Sequence, residues 1–180
     1  MTQQPPDTRP VAPQHAIDAG RLAEWLAGHV APLDGPLEIA QFKGGQSNPT
    51  YLLSAGRQRY VLRRKPPGKL LPSAHAVDRE YRVIRALGST GVPVAKAHAL
   101  CEDDAVIGTA FYVMEYVAGR VFWDPGLPGL EPAQRAAIHD EINRVIAALH
   151  SVDFAAVGLG DYGRTGEYIA RQVARWSKQY

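Results

Sequence analysis

The sequence predicts an α+β protein, a five-stranded antiparallel sheet with one inserted helix, followed by a set of helices. Three observations carry this. Between Leu37 and Arg64, short β-rich runs are separated by Gly, Asn and Pro, the punctuation of consecutive hairpins. From Val77 to Leu87, apolar residues recur at helical spacing. Beyond Pro132, two further helical patterns close the chain.

Composition narrows the class. At 180 residues and 46% hydrophobic content, the chain can bury one core or two small lobes. A formal charge of +2 is too mild to argue for nucleic acid, and no basic run exceeds Arg63-Arg64-Lys65. The single cysteine, Cys101, excludes an internal disulfide, fits a reducing compartment and is expected as a small core residue at a strand end. Met1 to Pro13 lacks the apolar core of a signal peptide, and no apolar run approaches the roughly 20 residues of a membrane span. The reading is a soluble, cytoplasmic chain with neither nucleic acid nor membrane as partner.

In chain order, residues 1–15 hold four prolines among polar residues and read as a disordered tail. Asp18 caps a short helix whose Leu22, Trp25, Leu26 and Val30 face one way, packing on the back of the hairpin sheet; Pro32 and Gly35 end it. The strands Leu37–Phe42, Thr50–Ser54 and Arg59–Arg64 follow. The first turn, Lys43 to Pro49, carries Gly44 and Gly45 ahead of Gln46, Ser47 and Asn48. Adjacent glycines leave backbone N–H groups uncovered, so the turn can fold over an anion such as phosphate; the same pattern also serves as an ordinary turn.

Strand alternation places Val61 and Arg63 on one face of the third strand, with Tyr60 and Leu62 on the other. After a Pro- and Lys-rich segment, Ser73 can cap a helix running to Leu87. Its stripe is Val77, Tyr81, Ile84 and Leu87, and at about 100° per residue Glu80 falls inside it. A carboxylate on a core-facing stripe calls for a partner. Arg63 is the leading candidate; the alternatives are that Glu80 reaches the stripe's edge, pairing with Arg79, with Arg82 or with nothing. Gly88 and Gly91 stop the helix, and Val92-Pro93-Val94 leads into a fourth strand ending at Cys101, its start at an edge because of Pro93. Glu102-Asp103-Asp104 reads as a solvated turn. Ala110 to Val117 is the fifth strand, closed by Ala118-Gly119.

Asp124 to Pro132, with three prolines and two glycines, is a linker. A long helix runs from Pro132 to His150 with Ile138, Ile142, Val145, Ile146 and Leu149 on a buried face. Gly158, Gly160 and Gly163 form a loop. A last helix carries Ile169, Val173, Trp176 and Tyr180 and meets the final residue uncapped, which suggests a chain cut short. The division is therefore a tail (1–15), a first lobe (16–119, with a hinge at 115–119) and the start of a helical second lobe (120–180).

This order of elements resembles the N-terminal half of the protein-kinase-like fold, in the aminoglycoside phosphotransferase and choline kinase superfamily. Within it, the chain is most similar to the kinase-like module found alone in bacteria and fused to acyl-CoA dehydrogenases in some eukaryotes. The resemblance rests on Phe42 to Tyr51, Tyr60 to Gly68, Val77 to Ile84 and Tyr112 to Gly119, and spans nearly everything after residue 15. It implies that the turn Gly44-Gly45-Gln46-Ser47-Asn48 lies over the phosphates of ATP. It implies that Arg63 stands where most such kinases have a phosphate-contacting lysine, paired with Glu80. Arginine is a departure, because it offers a planar fork where lysine offers a point charge. Met114-Glu115-Tyr116-Val117 matches the hinge, whose Glu115 carbonyl and Val117 N–H would bond the adenine edge while Val61 packs on its face.

Phosphoryl transfer in this architecture also needs an Asp to accept the hydroxyl proton, and an Asn and a second Asp for Mg²⁺. His150-Ser151-Val152-Asp153 has the wrong spacing for that loop, and Asp161-Tyr162-Gly163 imitates a metal-binding triplet in letters alone. The resemblance thus implies no catalytic or metal-ligating residue within this chain; the Mg²⁺ ligands are expected beyond residue 180. The expectation is the ATP-binding half of a small-molecule kinase, inactive alone, whose parent phosphorylates a metabolite hydroxyl, by analogy with the fused relatives that of a hydroxyacyl-CoA or a similar metabolite, and whose missing lobe packs on 132–150 and 164–180. The alternative is a non-catalytic module that binds a nucleotide or a partner.

Overall fold

The computed structural model describes residues 8–44, 47–66, 68, 75–163 and 166–178. Its centre is a six-stranded antiparallel sheet. The strands are β1 (Thr8–Arg9), β2 (Glu38–Phe42), β3 (Thr50–Ala55), β4 (Gln58–Arg64), β5 (Ala97–Cys101) and β6 (Phe111–Glu115), in the spatial order β1-β2-β3-β4-β6-β5. Five were expected; the sixth comes from the segment assigned to the tail. Thr8 and Arg9 pair with Phe42 and Gln41, and a single 3-10 turn follows at Pro13–His15. The proline count of this segment describes its weak propensity, while the unpaired edge of β2 supplies the hydrogen bonds that order it.

The sheet has two covered faces because side chains alternate along each strand. On one lies α1 (Ala19–His29), capped by Asp18, whose carboxylate accepts from the N–H groups of Gly20 at 3.0 Å and Arg21 at 3.1 Å. Its Leu22 and Leu26 are fully buried against Tyr51, Leu53, Leu62, Phe111 and Val113. Each such side chain contributes about 1.5–3 kcal/mol of transfer free energy. Cys101 joins this cluster at the end of β5, and burial pushes its thiol up, as suits an inert core residue. The acidic turn after it holds a one-turn helix, α3 (Asp104–Ile107), capped by Asp103.

On the other face lies α2 (Val77–Leu87), with Val77, Tyr81 and Ile84 against Ala110, Leu100, Tyr112 and Met114. The helix starts four residues later than the cap expected at Ser73, which lies outside the described residues; Ala76 precedes it with no side-chain cap. The Gly56-Arg57 turn between β3 and β4 requires its glycine, since φ is +58° and an added Cβ would sit 3.0 Å from Asp34 Cβ.

After β6 the chain runs through irregular structure to α4 (Pro132–His150) and, past a loop at 151–163, to α5 (Tyr168–Ser177). Glu131 and Gln134 form a capping box at the start of α4. The apolar stripe of α4 was expected to be buried. Instead Ile142, Ile146 and Leu149 are exposed, as are Ile169, Val173 and Trp176 of α5, because nothing among the described residues packs on these faces. Tyr180 lies outside the described residues. Among the described residues no helix is long and apolar enough to cross a membrane.

Candidate functional site

The register of the sheet decides which side chains meet. Arg63 stands opposite Thr50 on β3 and Tyr112 on β6, and Val61 stands opposite Leu52 and Met114. Residues paired across antiparallel strands share a face, so Arg63 and Tyr112 both face α2. Glu80, one turn into the helix, reaches down to them. Arg63 Nε lies 2.9 Å from Glu80 Oε2, with both side chains about one-third exposed. The carboxylate sits off the direction of the shielded Nε–H, which makes the contact an ion pair rather than an aligned hydrogen bond.

Glu80 is bound from three sides. Besides Arg63, it accepts from Asn48 Nδ2 at 2.7 Å through Oε1, and from the Tyr112 hydroxyl at 3.2 Å through Oε2. An ionised carboxylate only accepts, so the amide nitrogen of Asn48 must face it, which turns Asn48 Oδ1 to His75 Nδ1 at 2.9 Å. That oxygen in turn requires the proton on Nδ1. Burial pushes the Tyr112 phenol well above the usual tyrosine range; the negative charge of Glu80 adds to this and Arg63 opposes it.

Thus Arg63, the leading candidate from the sequence, is the cation that meets Glu80, and the alternative partners of Glu80 are accounted for elsewhere. Arg79 and Arg82 turn to the loop 157–163. Arg79 Nη2 donates to the Tyr162 carbonyl at 3.0 Å with its guanidinium 3.9 Å from the Tyr162 ring centroid. Arg82 Nη2 donates to the Gly158 carbonyl at 2.9 Å and pairs with Asp161. Asp161 is therefore an ion-pair partner of the helix, whatever its letters imitate.

Tyr112 and His75 were missed. Tyr112 was legible in principle, because it shares strand parity with Met114 on the α2 side. His75 was not, since its place depends on the chain path ahead of α2. Asn48, read as part of a phosphate-covering turn, is buried with its amide committed to Glu80 and His75.

The remaining expected residues spread along the strands: the Gly44 turn leads into Thr50, opposite Arg63, whereas Glu115 stands opposite Tyr60, toward the other end of the sheet. Gly44 lies against the tip of Trp123: a Cβ added there would come within 2.9 Å of the ring. Ser47 is exposed. Gly45 and Gln46 lie outside the described residues. Val61 is 8% exposed and Met114 packs beside Tyr112. Glu115 ends β6; its N–H donates to the Lys96 carbonyl at 2.9 Å and its carboxylate accepts from the Lys96 N–H at 3.2 Å. Val117 is 63% exposed, and its N–H has no hydrogen bond among the described residues. No group of three His, Cys, Asp or Glu side chains among them could hold a metal ion.

Comparison with known proteins adds identity to this geometry. The family described as phosphotransferase enzyme family matches residues 38–180. The chain is 49% identical over 176 residues to mouse acyl-CoA dehydrogenase family member 10, covering 97% of this chain and 16% of that protein. It is 48% identical over 178 residues to human acyl-CoA dehydrogenase family member 11, covering 97% of this chain and 23% of that protein. A crystal structure from Ralstonia eutropha, provisionally described as an aminoglycoside phosphotransferase, superposes with a TM-score of 0.78 at 55% identity, covering 92% of this chain and 47% of that one. The chain thus spans less than a quarter of these curated relatives and about half of the crystallised one. With a kinase-like sheet, an Arg63–Glu80 pair beneath its inserted helix and a match running from β2 to the last residue, this chain belongs to the phosphotransferase enzyme family.

Proposed function

We propose that this chain is the nucleotide-binding portion of a small-molecule kinase whose parent transfers the γ-phosphate of ATP to a metabolite hydroxyl. The observation that carries the proposal is the ion pair between Arg63 of β4 and Glu80 of α2, 2.9 Å apart at the end of the sheet that also bears the Gly44 turn. A guanidinium fixed by a carboxylate on one side can present its remaining N–H groups to phosphate oxygens.

The residues present fit a nucleotide. Gly44 and Ser47 would approach the phosphates through their backbone, Arg63 would contact them through its fork, and the open Val117 N–H with the Glu115 carbonyl would take the adenine edge against Val61 and Met114. Asn48 and Tyr112 hold Glu80, so their part is to orient Arg63. ATP supplies the transferable phosphoryl group when bound. No group of three His, Cys, Asp or Glu side chains among the described residues could hold Mg²⁺. The chain spans 47% of the crystallised relative, and in the proposed parent the metal ligands and the proton-accepting Asp belong to the remaining portion, which would pack on the exposed faces of α4 and α5. Because the fused relatives are named acyl-CoA dehydrogenase family members, the acceptor we favour is a hydroxyacyl-CoA.

Calorimetric titration with a non-hydrolysable ATP analogue tests the nucleotide reading. Arg63→Ala is expected to weaken binding by at least tenfold, about 1.4 kcal/mol. An unchanged heat and affinity in that variant would remove Arg63 from the phosphate site.

A further inference from the structure

The inserted helix has an incomplete seat. Its N-terminus has no side-chain cap, and among the described residues its apolar contacts on the sheet side come from Val77, Tyr81 and Ile84, with Leu87 at its far end. Glu80 must nevertheless stay within ion-pair distance of Arg63, and packed helices can shift by small shear steps against a sheet. On the sheet side the directional contacts all meet at Glu80, from Arg63, Asn48 and Tyr112; a second set exists on the other side. Arg79 and Arg82 lie three residues apart, so they share a face, and at about 100° per residue that face is turned well away from Glu80.

Both arginines reach the loop after α4. Arg82 donates to the Gly158 carbonyl at 2.9 Å and pairs with Asp161; Arg79 donates to the Tyr162 carbonyl at 3.0 Å and lies over the Tyr162 ring at 3.9 Å. The loop is itself tied down: Asp153 Oδ1 accepts from the N–H groups of Ala155 and Ala156 at 3.0 Å each, and Leu159 is buried. Between loop and helix lies a cavity of about 520 Å³ lined by Tyr81, Arg82, Arg85, Leu100, Val157 and Leu159 among others. The helix is thus not packed solid against this loop; polar contacts at its rim join the two.

We infer that Asp161 and Tyr162 are positioning residues: by holding Arg82 and Arg79 they clamp α2 from behind and fix the register in which Glu80 meets Arg63. The clamp ties the geometry of the sheet-side ion pair to the segment following α4. Its consequence for nucleotide affinity rests on the function proposed above; its effect on the helix does not.

Charge exchange across the Arg82–Asp161 pair separates the two. Arg82→Asp and Asp161→Arg are made singly and together, and two quantities are read on the 180-residue chain: amide hydrogen exchange of Val77–Leu87, and affinity for a non-hydrolysable ATP analogue. Each single variant is expected to speed exchange of the α2 amides by about tenfold or more and weaken the analogue by a similar factor, with the double variant recovering most of both. α2 protection unchanged in the single variants, or lost equally in the double one, would overturn the clamp. Faster α2 exchange restored by the double variant, with analogue affinity the same in all four proteins, would overturn the coupling to Arg63. If the unaltered chain binds no analogue while the exchange pattern holds, the nucleotide reading fails and the clamp on α2 stands.

Discussion

Glu80 shows how one side chain can order several others. Arg63, Asn48 and Tyr112 come from three different segments and converge on its two oxygens. A carboxylate has about four acceptor positions, so it is the natural hub for a set of donors. Tyr112 allows this hub to be probed by pH. Its phenol is raised in the folded state by burial and by Glu80, whereas in the unfolded chain it ionises near the ordinary value of about 10. Below that value the contribution is fully present; as pH rises above it the unfolded chain loses the proton first, so stability falls. Tyr112→Phe is expected to flatten the fall in unfolding free energy between about pH 10 and 11 relative to the unaltered chain, measured by urea titration at each pH. Equal alkaline slopes in both proteins would show that Tyr112 ionises as freely folded as unfolded.

At the scale of elements, what was readable and what was not follow from the range of the forces involved. The Asp18 cap, the Gly56 turn and the α4 boundaries at Pro132 and His150 are local, and each was legible from neighbouring residues. Gly56 makes a direct test, because its positive φ and the adjacent Asp34 both disfavour a side chain. Gly56→Ala is expected to cost about 1–3 kcal/mol in urea denaturation, a larger penalty than at an ordinary exposed glycine. The strand at Thr8–Arg9 was not legible, since two residues carry no periodicity and are ordered by an edge some thirty residues away. The start of α2 was also misplaced: the Pro- and Lys-rich segment offered Ser73 as a cap, while packing of Val77 under Tyr112 sets the observed first turn.

For the whole molecule, the sheet with α1 and α2 closes its own cores, while α4 and α5 leave theirs open. Ile169 and Trp176 are 72% and 56% exposed, on the same face as Val173. Contiguous apolar surface of this kind drives association. The chain is expected to self-associate with rising concentration in sedimentation velocity, and Val173→Lys with Trp176→Lys is expected to reduce that association without lowering the melting temperature. A lowered melting temperature would mean that these side chains serve the fold of the chain itself.

From the sequence alone came the α+β class, the inserted helix, the glycine turn and the suspicion that Glu80 needs a cation, because periodicity and the cost of a lone buried charge act over a few residues. Only the tertiary structure decided which cation it was. The choice between Arg63, Arg79 and Arg82 depends on where β4, α2 and the loop after α4 stand in space, and that is set by strand register and packing between residues as far as 83 positions apart. The same placement brought Asn48 and Tyr112 to one carboxylate and His75 to the side-chain oxygen of Asn48.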